Sequence, residues 1–180
     1  MGWLLVVVPG VIWGASFLFI AEGLQAVAPM GVTFVRIAVG FVTLSLVPSA
    51  RRPIVRGDRL KTALLGILWL AFPLSMFPLA EQHVSSALAG MLNGATPLFA
   101  ALVASALARR APSRRVAAGL AIGFAGAALI ALPSLSSANA ATDRVTSQTP
   151  GILMILMALV SYAFAYSLAR PLSGATVRSQ

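Results

Sequence analysis

Residues 85–104 read SSALAGMLNGATPLFAALVA, a run of twenty residues without a charged side chain. A helix needs about 20 predominantly apolar residues to cross the roughly 30 Å hydrocarbon core of a bilayer. The rest of the chain has the same character, because 59% of its residues are hydrophobic and 9% are charged, whereas about a quarter are charged in soluble domains. The sequence therefore predicts an all-α integral membrane protein.

Six apolar segments of spanning length are separated by polar or basic connections. They lie at residues 3–21, 31–47, 60–80, 84–108, 116–132 and 151–169. Pro29 and Pro150 fall just before two of them, where a helix can begin without the missing N–H. We expect about six transmembrane helices, with residues 133–150 (PSLSSANAATDRVTSQTP) as an extracytoplasmic linker. Two interpretations of this linker remain open, a flexible loop and a boundary between repeats.

The distribution of Lys and Arg predicts how the spans are oriented. Five lie in residues 51–61 (RRPIVRGDRLK), four in residues 109–115 (RRAPSRR), and Arg170 and Arg178 follow the last span, whereas the alternate connections hold only Arg144. Positive residues remain cytoplasmic, so we predict a plasma (inner) membrane protein with both termini in the cytoplasm. The net charge of +9 is then a topology signal in the lipid bilayer, and no nucleic-acid partner is expected.

Residue types that carry catalytic chemistry are scarce. The chain has no cysteine, four acidic residues and one histidine, His83, so it offers no thiolate or clustered ligands for a metal. An intramembrane serine protease would need a histidine inside the bundle, and His83 lies at the end of a span. We therefore predict no metal, no cofactor and no enzyme activity. For His83, a solvated loop position and a proton-coupling role both remain open.

Two helices share a short aromatic pattern. A shift of 149 residues aligns Trp13 with Tyr162 and Phe17 with Tyr166, with a small residue following the first aromatic in each helix. The pattern suggests that the helix at residues 151–169 repeats the first helix.

Four stretches follow one another on successive spans. They are IWGASF (residues 12–17), PMGVTFVRI (29–37), the opening run at 85–104, and GLAIGFAGAALIAL (119–132). In this order they resemble the EamA repeat of the drug/metabolite transporter superfamily. The resemblance implies a first five-helix repeat over residues 1–132.

The resemblance also implies an architecture and a function. Transporters of this kind typically have ten helices in two repeats of inverted topology, so residues 151–180 would be the first helix of a second repeat and a cytoplasmic tail. The implied function is secondary-active transport, by alternating access, of small metabolites, amino acids or drugs, with export as the expected direction. The chain would then be truncated, so an inactive fragment is the main alternative and an integral-membrane enzyme a weaker one. Beyond a small-molecule substrate and lipid, the expected partner is a second copy or a separately encoded C-terminal half.

Candidate substrate contacts are polar or aromatic residues inside apolar helices. They are Trp13, Ser16, Arg36, Asn93, Thr96 and Tyr162. The two aromatic residues could stack on a substrate, and a buried Asn amide must find several hydrogen-bond partners. The two hydroxyls are weaker candidates, because Ser and Thr often bond to their own helix.

Prolines inside the spans predict local breaks in the helices. Pro97 removes a backbone hydrogen bond and frees the carbonyl of Asn93, and Pro73 and Pro78 act similarly in the preceding span. Broken helices at mid-membrane mark binding sites in many transporters. A binding-site break and a simple kink therefore both remain open at these prolines.

Arg36 is the most informative single residue, because a charge inside a span is costly. Placing Arg at mid-membrane costs about 2.5–3.5 kcal/mol on insertion scales, which the apolar residues of the same helix can offset. The charge still needs water or a partner, and Glu22 and Glu81 are the available carboxylates. Snorkelling to the outer surface and an interior role remain alternatives. The resemblance to the EamA repeat, whose signature includes this Arg, slightly favours structural pairing over substrate contact.

Three pairs of glycines recur at four-residue spacing. They are Gly10 and Gly14, Gly90 and Gly94, and Gly119 and Gly123. Small residues at this spacing allow helices to approach closely. We predict ordinary packing within the bundle, with dimerisation between chains as the alternative.

Overall fold

The protein is helical throughout residues 3–51, 54–136 and 148–177, apart from short turns; these are the residues that its computed structural model describes. Its α-helices are α1 Leu4–Gly23, α2 Pro29–Ser45, α3 Arg59–Gly66, α4 Phe72–Ala80, α5 Ser86–Asn93, α6 Thr96–Leu107, α7 Arg114–Ser136 and α8 Gln148–Val177. A π-helical turn, Ile67–Ala71, joins α3 to α4. Two 3₁₀ turns, Pro48–Ala50 and Arg56–Asp58, lie between α2 and α3.

The predicted all-α membrane fold with about six spans is confirmed. The π-helical turn connects α3 and α4 into the third span, and α5 and α6 together form the fourth. Within the part of the chain that the structure describes, four stretches are long and apolar enough to cross a membrane, namely Leu4–Gly23, Arg56–Ala80, Ser86–Leu107 and Gln148–Ala169. The apolar α2 has 17 residues, the short end of the range of about 17–25 for a spanning helix. The 23-residue α7 is the fifth span in chain order and completes the set of six.

The last helix, α8, lies at the centre of the bundle. It packs most extensively against α4 and α6, and Ile155, Ala158 and Leu159 on this helix have no exposed surface. By contrast, α1 buries only Phe17 and Ile20 among its described residues. An apolar helix that buries so little suits contact with lipid. The sixth span is therefore part of the packed core and not an appendage to the first five.

Two helices extend beyond their predicted ends. The helix α8 begins at Gln148 and continues to Val177, so it includes the end of the predicted linker. Pro150 is tolerated there because N–H groups in the first turn have no partner within the helix. The helix α7 ends at Ser136 and not at residue 132. Residues 137–147, the middle of the predicted linker, lie outside the described residues.

The third span contains a π-helical turn beside a proline. At the end of this turn, the N–H of Phe72 donates to the carbonyl of Ile67, five residues earlier. In the same register the carbonyl of Leu68 would need an N–H from Pro73, which has none. The hydroxyl of Ser161 on α8 donates to the Leu68 carbonyl at 2.8 Å. Ser161 therefore replaces the hydrogen bond that the π-helical turn and Pro73 remove.

A second carbonyl in the third span is capped in the same way. Pro78 cannot donate to Leu74, four residues earlier, and the hydroxyl of Thr33 on α2 lies 3.0 Å from the Leu74 carbonyl oxygen. Thr33 and Ser161 are the buried polar residues of the described core. The breaks near these prolines, which the sequence left open as binding-site features, are therefore closed by hydroxyls of neighbouring helices.

The predicted glycine pairs divide into packed and open positions. A Cβ added at Gly123 would lie 2.6 Å from the Leu98 side chain, and one at Gly90 would lie 3.3 Å from Phe17. A Cβ would instead meet nothing within 4 Å at Gly10, Gly14 and Gly119. Close packing within the bundle thus applies to one member of two pairs, and the first pair borders open space.

A tight approach to backbone occurs at Gly151, near the start of α8. A Cβ added there would lie 2.9 Å from the carbonyl oxygen of Ala80 and 3.0 Å from the Cβ of His83. Because a backbone atom cannot rotate away as a side chain can, only glycine fits this position without a shift of α8 or α4.

Candidate functional site

A cavity of about 300 Å³ lies between α1, α2, the third span and α8. We call it the first cavity. It is lined by Trp13, Ser16, Arg36 and Tyr162, which are four of the six predicted site residues, and by Ile12, Phe17, Ile20, Trp69, Leu70, Leu74 and Phe77. Its volume is at the lower end of the range of about 300–1,000 Å³ for small-molecule sites, and its mostly apolar lining with few polar groups is typical of them.

Aromatic contacts fix one wall of the first cavity. The rings of Phe17 and Phe77 meet edge to face, with their centroids 5.3 Å apart. The Phe77 ring also stacks on that of Tyr162 at 6.3 Å. All three side chains are buried, and offset or edge-to-face arrangements of this kind are the favourable ones for aromatic pairs. The wall is therefore a rigid apolar surface that holds the Tyr162 ring in place.

Arg36 is the charged residue in the lining of this cavity. Its Nη1 atom is buried and has no hydrogen-bond partner. Lys61 and Asp58, 3.8 Å apart, form the one ion pair among the described residues, so the predicted pairing of Arg36 with Glu22 or Glu81 is wrong. The side chain as a whole is partly exposed, and one of its guanidinium nitrogens is buried without an ionic partner.

The two candidate carboxylates have different surroundings. The side-chain amide of Gln25 donates to the exposed Glu22 at 3.2 Å. Both carboxylate oxygens of Glu81 are buried without a hydrogen-bond partner. Glu81 lies one residue beyond the third span, and burial raises its pKa to about 7, while the positive charge of Arg36 acts in the opposite direction. Arg36 and Glu81 therefore interact electrostatically without forming a pair.

The hydroxyl of Ser16 is engaged within its own helix. It donates to the carbonyl of Trp13 at 2.6 Å. Ser16 lines the first cavity, and its proton is engaged within α1 in this arrangement, as the sequence allowed for a Ser inside a helix. Its oxygen can still accept a hydrogen bond.

A larger cavity of about 760 Å³ adjoins the first. We call it the second cavity. It is lined by Asn93, Thr96, Pro97, Ala100 and Tyr166, by Trp13 and Phe17, which also border the first cavity, and by Gly10, Gly14, Gly90 and Gly94. Gly10 and Gly14 thus face this cavity and not a neighbouring helix. The six predicted site residues are therefore distributed over two cavities that share the Trp13 side chain.

The fourth span is broken beside the second cavity. α5 ends at Asn93 and α6 begins at Thr96, so the span has a turn of two residues where the sequence left a break or a kink open. The hydroxyl of Thr96 donates at 2.6 Å to the Asn93 carbonyl. Pro97, four residues after Asn93, has no N–H to donate to this carbonyl. The carbonyl that Pro97 frees and the Thr96 hydroxyl therefore bond to each other within the span in this structure, as Ser and Thr often do. The Asn93 side chain remains at the cavity surface.

The sequence missed the contribution of the third span. Trp69 and Phe77 both line the first cavity, and Trp69 also meets Tyr166 edge to face at 5.1 Å. Phe77 directly precedes Pro78, and an aromatic residue beside a proline inside a span is a signal that could have identified it; Trp69 carries no such signal.

The arrangement suits binding and orientation of a ligand more than covalent chemistry. Neither cavity is lined by a His, Asp or Glu side chain, and the described part of the chain holds no group of three or more potential metal ligands. His, Asp and Glu are the side chains that most often serve as general bases and, with Cys, as metal ligands.

Comparison with known proteins gives one match. A family model described as the EamA-like transporter family matches residues 1–132. No curated protein and no solved structure matches the chain. The matched range includes five of the predicted site residues, and Tyr162 lies beyond it.

Proposed function

The chain belongs to the EamA-like transporter family, and from this premise we propose that it exports small metabolites, amino acids or drugs by secondary-active, alternating-access transport. The coarser assignment, a membrane transporter of the drug/metabolite transporter superfamily, follows from the family. The substrate range, the outward direction and the mode of energy coupling are the proposal.

One observation carries this proposal. Four predicted site residues from α1, α2 and α8 line the same cavity, together with Trp69 and Phe77 of the third span. A ligand held there would contact several helices at once, so a rearrangement of any one of them would alter its binding. The two irregular spans border this region, since the π-helical turn and the α5–α6 break lie beside the first and second cavities, and discontinuous helices are typical of transporter binding sites.

We also propose the orientation that the sequence predicts, with both termini in the cytoplasm of a plasma (inner) membrane protein. The support is the basic connections: Arg56 and Arg59 precede the apolar part of the third span, and Arg109 and Arg110 follow the fourth. Lys and Arg beside spanning helices favour the cytoplasmic side.

A partner is a further part of the proposal. The second cavity lies at the surface of the bundle, where the Trp13 side chain is 48% exposed. The polar Asn93 side chain at this cavity would be costly to leave against hydrocarbon. A second copy of the chain or a separately encoded C-terminal half would cover it. The alternative functions, an inactive fragment and an integral-membrane enzyme, predict no flux.

The test is substrate-dependent flux in liposomes. The purified chain, alone or co-expressed with a matching C-terminal four-helix segment, is reconstituted and screened for counterflow of labelled metabolites, amino acids and drugs. Replacement of the cavity residue Trp69 by Leu should abolish the flux, whereas Trp3→Leu, at an exposed position outside both cavities, should not. Absence of flux from the folded chain in both arrangements would refute the transport proposal.

A further inference from the structure

The first cavity is electrically unbalanced. Among its lining residues, Arg36 carries the formal positive charge and none carries a negative one. Its Nη1 atom is also a buried donor without an acceptor. A buried donor of this kind is costly, and an uncompensated buried charge more so.

In the described chain no carboxylate lines this cavity or forms an ion pair with Arg36, although Glu81 acts on Arg36 electrostatically from outside the lining. Glu22 is exposed and bonded to Gln25, and Glu81 forms no ion pair with Arg36. Tyr162, which lines the same cavity, also acts electrostatically on Arg36 but carries a phenol and not a carboxylate. The guanidinium is therefore available to a negatively charged group that enters from outside the protein.

We propose that the first cavity binds a small monoanionic substrate, whose carboxylate contacts Arg36 and whose apolar body lies against the Phe77 and Tyr162 wall. This inference rests on the proposed transport function and specifies its substrate class. Arg is the side chain best suited to a carboxylate, because its planar donors can engage both oxygens.

Charge and size together define the ligand. One guanidinium balances one negative charge, so a dianionic head group would leave an uncompensated charge in an apolar cavity. The remaining lining is apolar or aromatic, which disfavours sugars and other polyhydroxylated bodies, since their hydroxyls would find few partners. A short aromatic or branched aliphatic carboxylate fits both conditions.

Binding can be tested without transport, by tryptophan fluorescence of the purified full chain in detergent. Of the three tryptophans, Trp13 and Trp69 line the cavity, so a Trp3→Phe background leaves the two residues that report on it. The probes are 3-phenylpropionate, its neutral amide and the corresponding amine, which share one apolar body. The amide also controls for partition of the probe into detergent.

We expect the carboxylate to bind about tenfold to a hundredfold more tightly than the amide, the range expected for hydrogen bonds to a charged group. The amine should bind more weakly still. Arg36→Gln should remove the preference for the carboxylate, Arg36→Lys should retain part of it, and Arg56→Gln, at an exposed position outside the cavity, should leave it unchanged.

Equal affinity for the three probes, no binding of any of them to the folded chain, or an unchanged preference in Arg36→Gln would overturn the proposal. Even if the Arg36 variants do not fold, the affinities of the three probes for the parent chain still test the proposal. Flux of a neutral or cationic compound without carboxylate binding would contradict this inference and leave the transport function intact. Carboxylate binding without flux would support this inference and contradict the transport function.

Discussion

Replacing Ser161 by Ala should destabilise the protein, because it removes the hydroxyl that serves the Leu68 carbonyl. Ser161 is buried, and its hydroxyl donates to that carbonyl at 2.8 Å. The π-helical turn directs the nearest N–H to Ile67, and Pro73 has no N–H to offer. After the substitution, no donor in the helix would replace the lost one.

The expected loss follows from the burial of this pair. Leaving a buried acceptor unsatisfied costs about 1–3 kcal/mol, and interhelical hydrogen bonds in membrane proteins are worth about 0.6 kcal/mol on average and at most about 1.7. We therefore expect the free energy of unfolding to fall by about 1–2 kcal/mol. The measurement is unfolding by SDS in mixed micelles, followed by tryptophan fluorescence.

Two comparisons isolate the cause. The Ser167 hydroxyl, on the same helix, donates to the carbonyl of Ala163 in its own helix at 3.1 Å, so Ser167→Ala should cost less than about 0.5 kcal/mol. In a Pro73→Ala background an N–H becomes available to Leu68, and Ser161→Ala should then cost about 1 kcal/mol less than in the parent chain. Equal losses in both backgrounds, or a loss no larger than that of Ser167→Ala, would refute the reasoning.

Further substitutions test other parts of the structure. Gly151→Ala should lower the unfolding free energy, because the new Cβ would lie 2.9 Å from a backbone oxygen, whereas Gly126→Ala, with nothing within 4 Å, should be neutral or stabilising by up to about 1 kcal/mol; destabilisation by both would contradict the packing at α8. The pKa of Glu81, raised from 4.5 to about 7 in the folded state, means that the native state binds more protons than the unfolded state between these values, so stability should decrease as pH rises from 4.5 to 7. Glu81→Gln should flatten this slope and Glu22→Gln should not; an unchanged slope in Glu81→Gln would exclude Glu81 as its source. A cysteine at the position of Val55 should react with an impermeant maleimide only after the membrane is permeabilised, and labelling in intact cells would invert the proposed topology.

The sequence predicted the spans well because the bilayer restricts the backbone so strongly. Lipid offers no hydrogen-bond partners, so apolar stretches of sufficient length are mostly helical, and each of the six predicted segments is helical over most of its described length, apart from its ends and the turn between α5 and α6. The ends were less certain. Pro150 indicated a helix start, but the tolerance of the first turn for proline allowed α8 to begin at Gln148.

The sequence predicted which residues belong to the candidate site but not which hydrogen bonds and ion pairs they form. Polar and aromatic residues inside spans are rare enough to be recognised individually, and four of them do meet in the first cavity. Which carbonyl accepts the hydrogen bond of each hydroxyl depends on the position of the neighbouring helix, and the sequence does not specify that position. The pairing of Ser161 with Leu68 joins residues 93 positions apart, and the absence of a pair at Arg36 depends on the distance between two helices.

The capping pattern explains why the exception at Arg36 is informative. Near three prolines of the third and fourth spans, a carbonyl that loses its helical donor receives a hydroxyl, from Ser161, Thr33 or Thr96. The bundle therefore satisfies these three backbone carbonyls with short side chains from whichever helix is near, as native structures generally do. The buried Nη1 of Arg36 departs from this pattern, and it does so on a residue that lines the first cavity. In a core that caps its backbone so consistently, an unpaired charged donor at a cavity is best explained by a partner that arrives with the ligand.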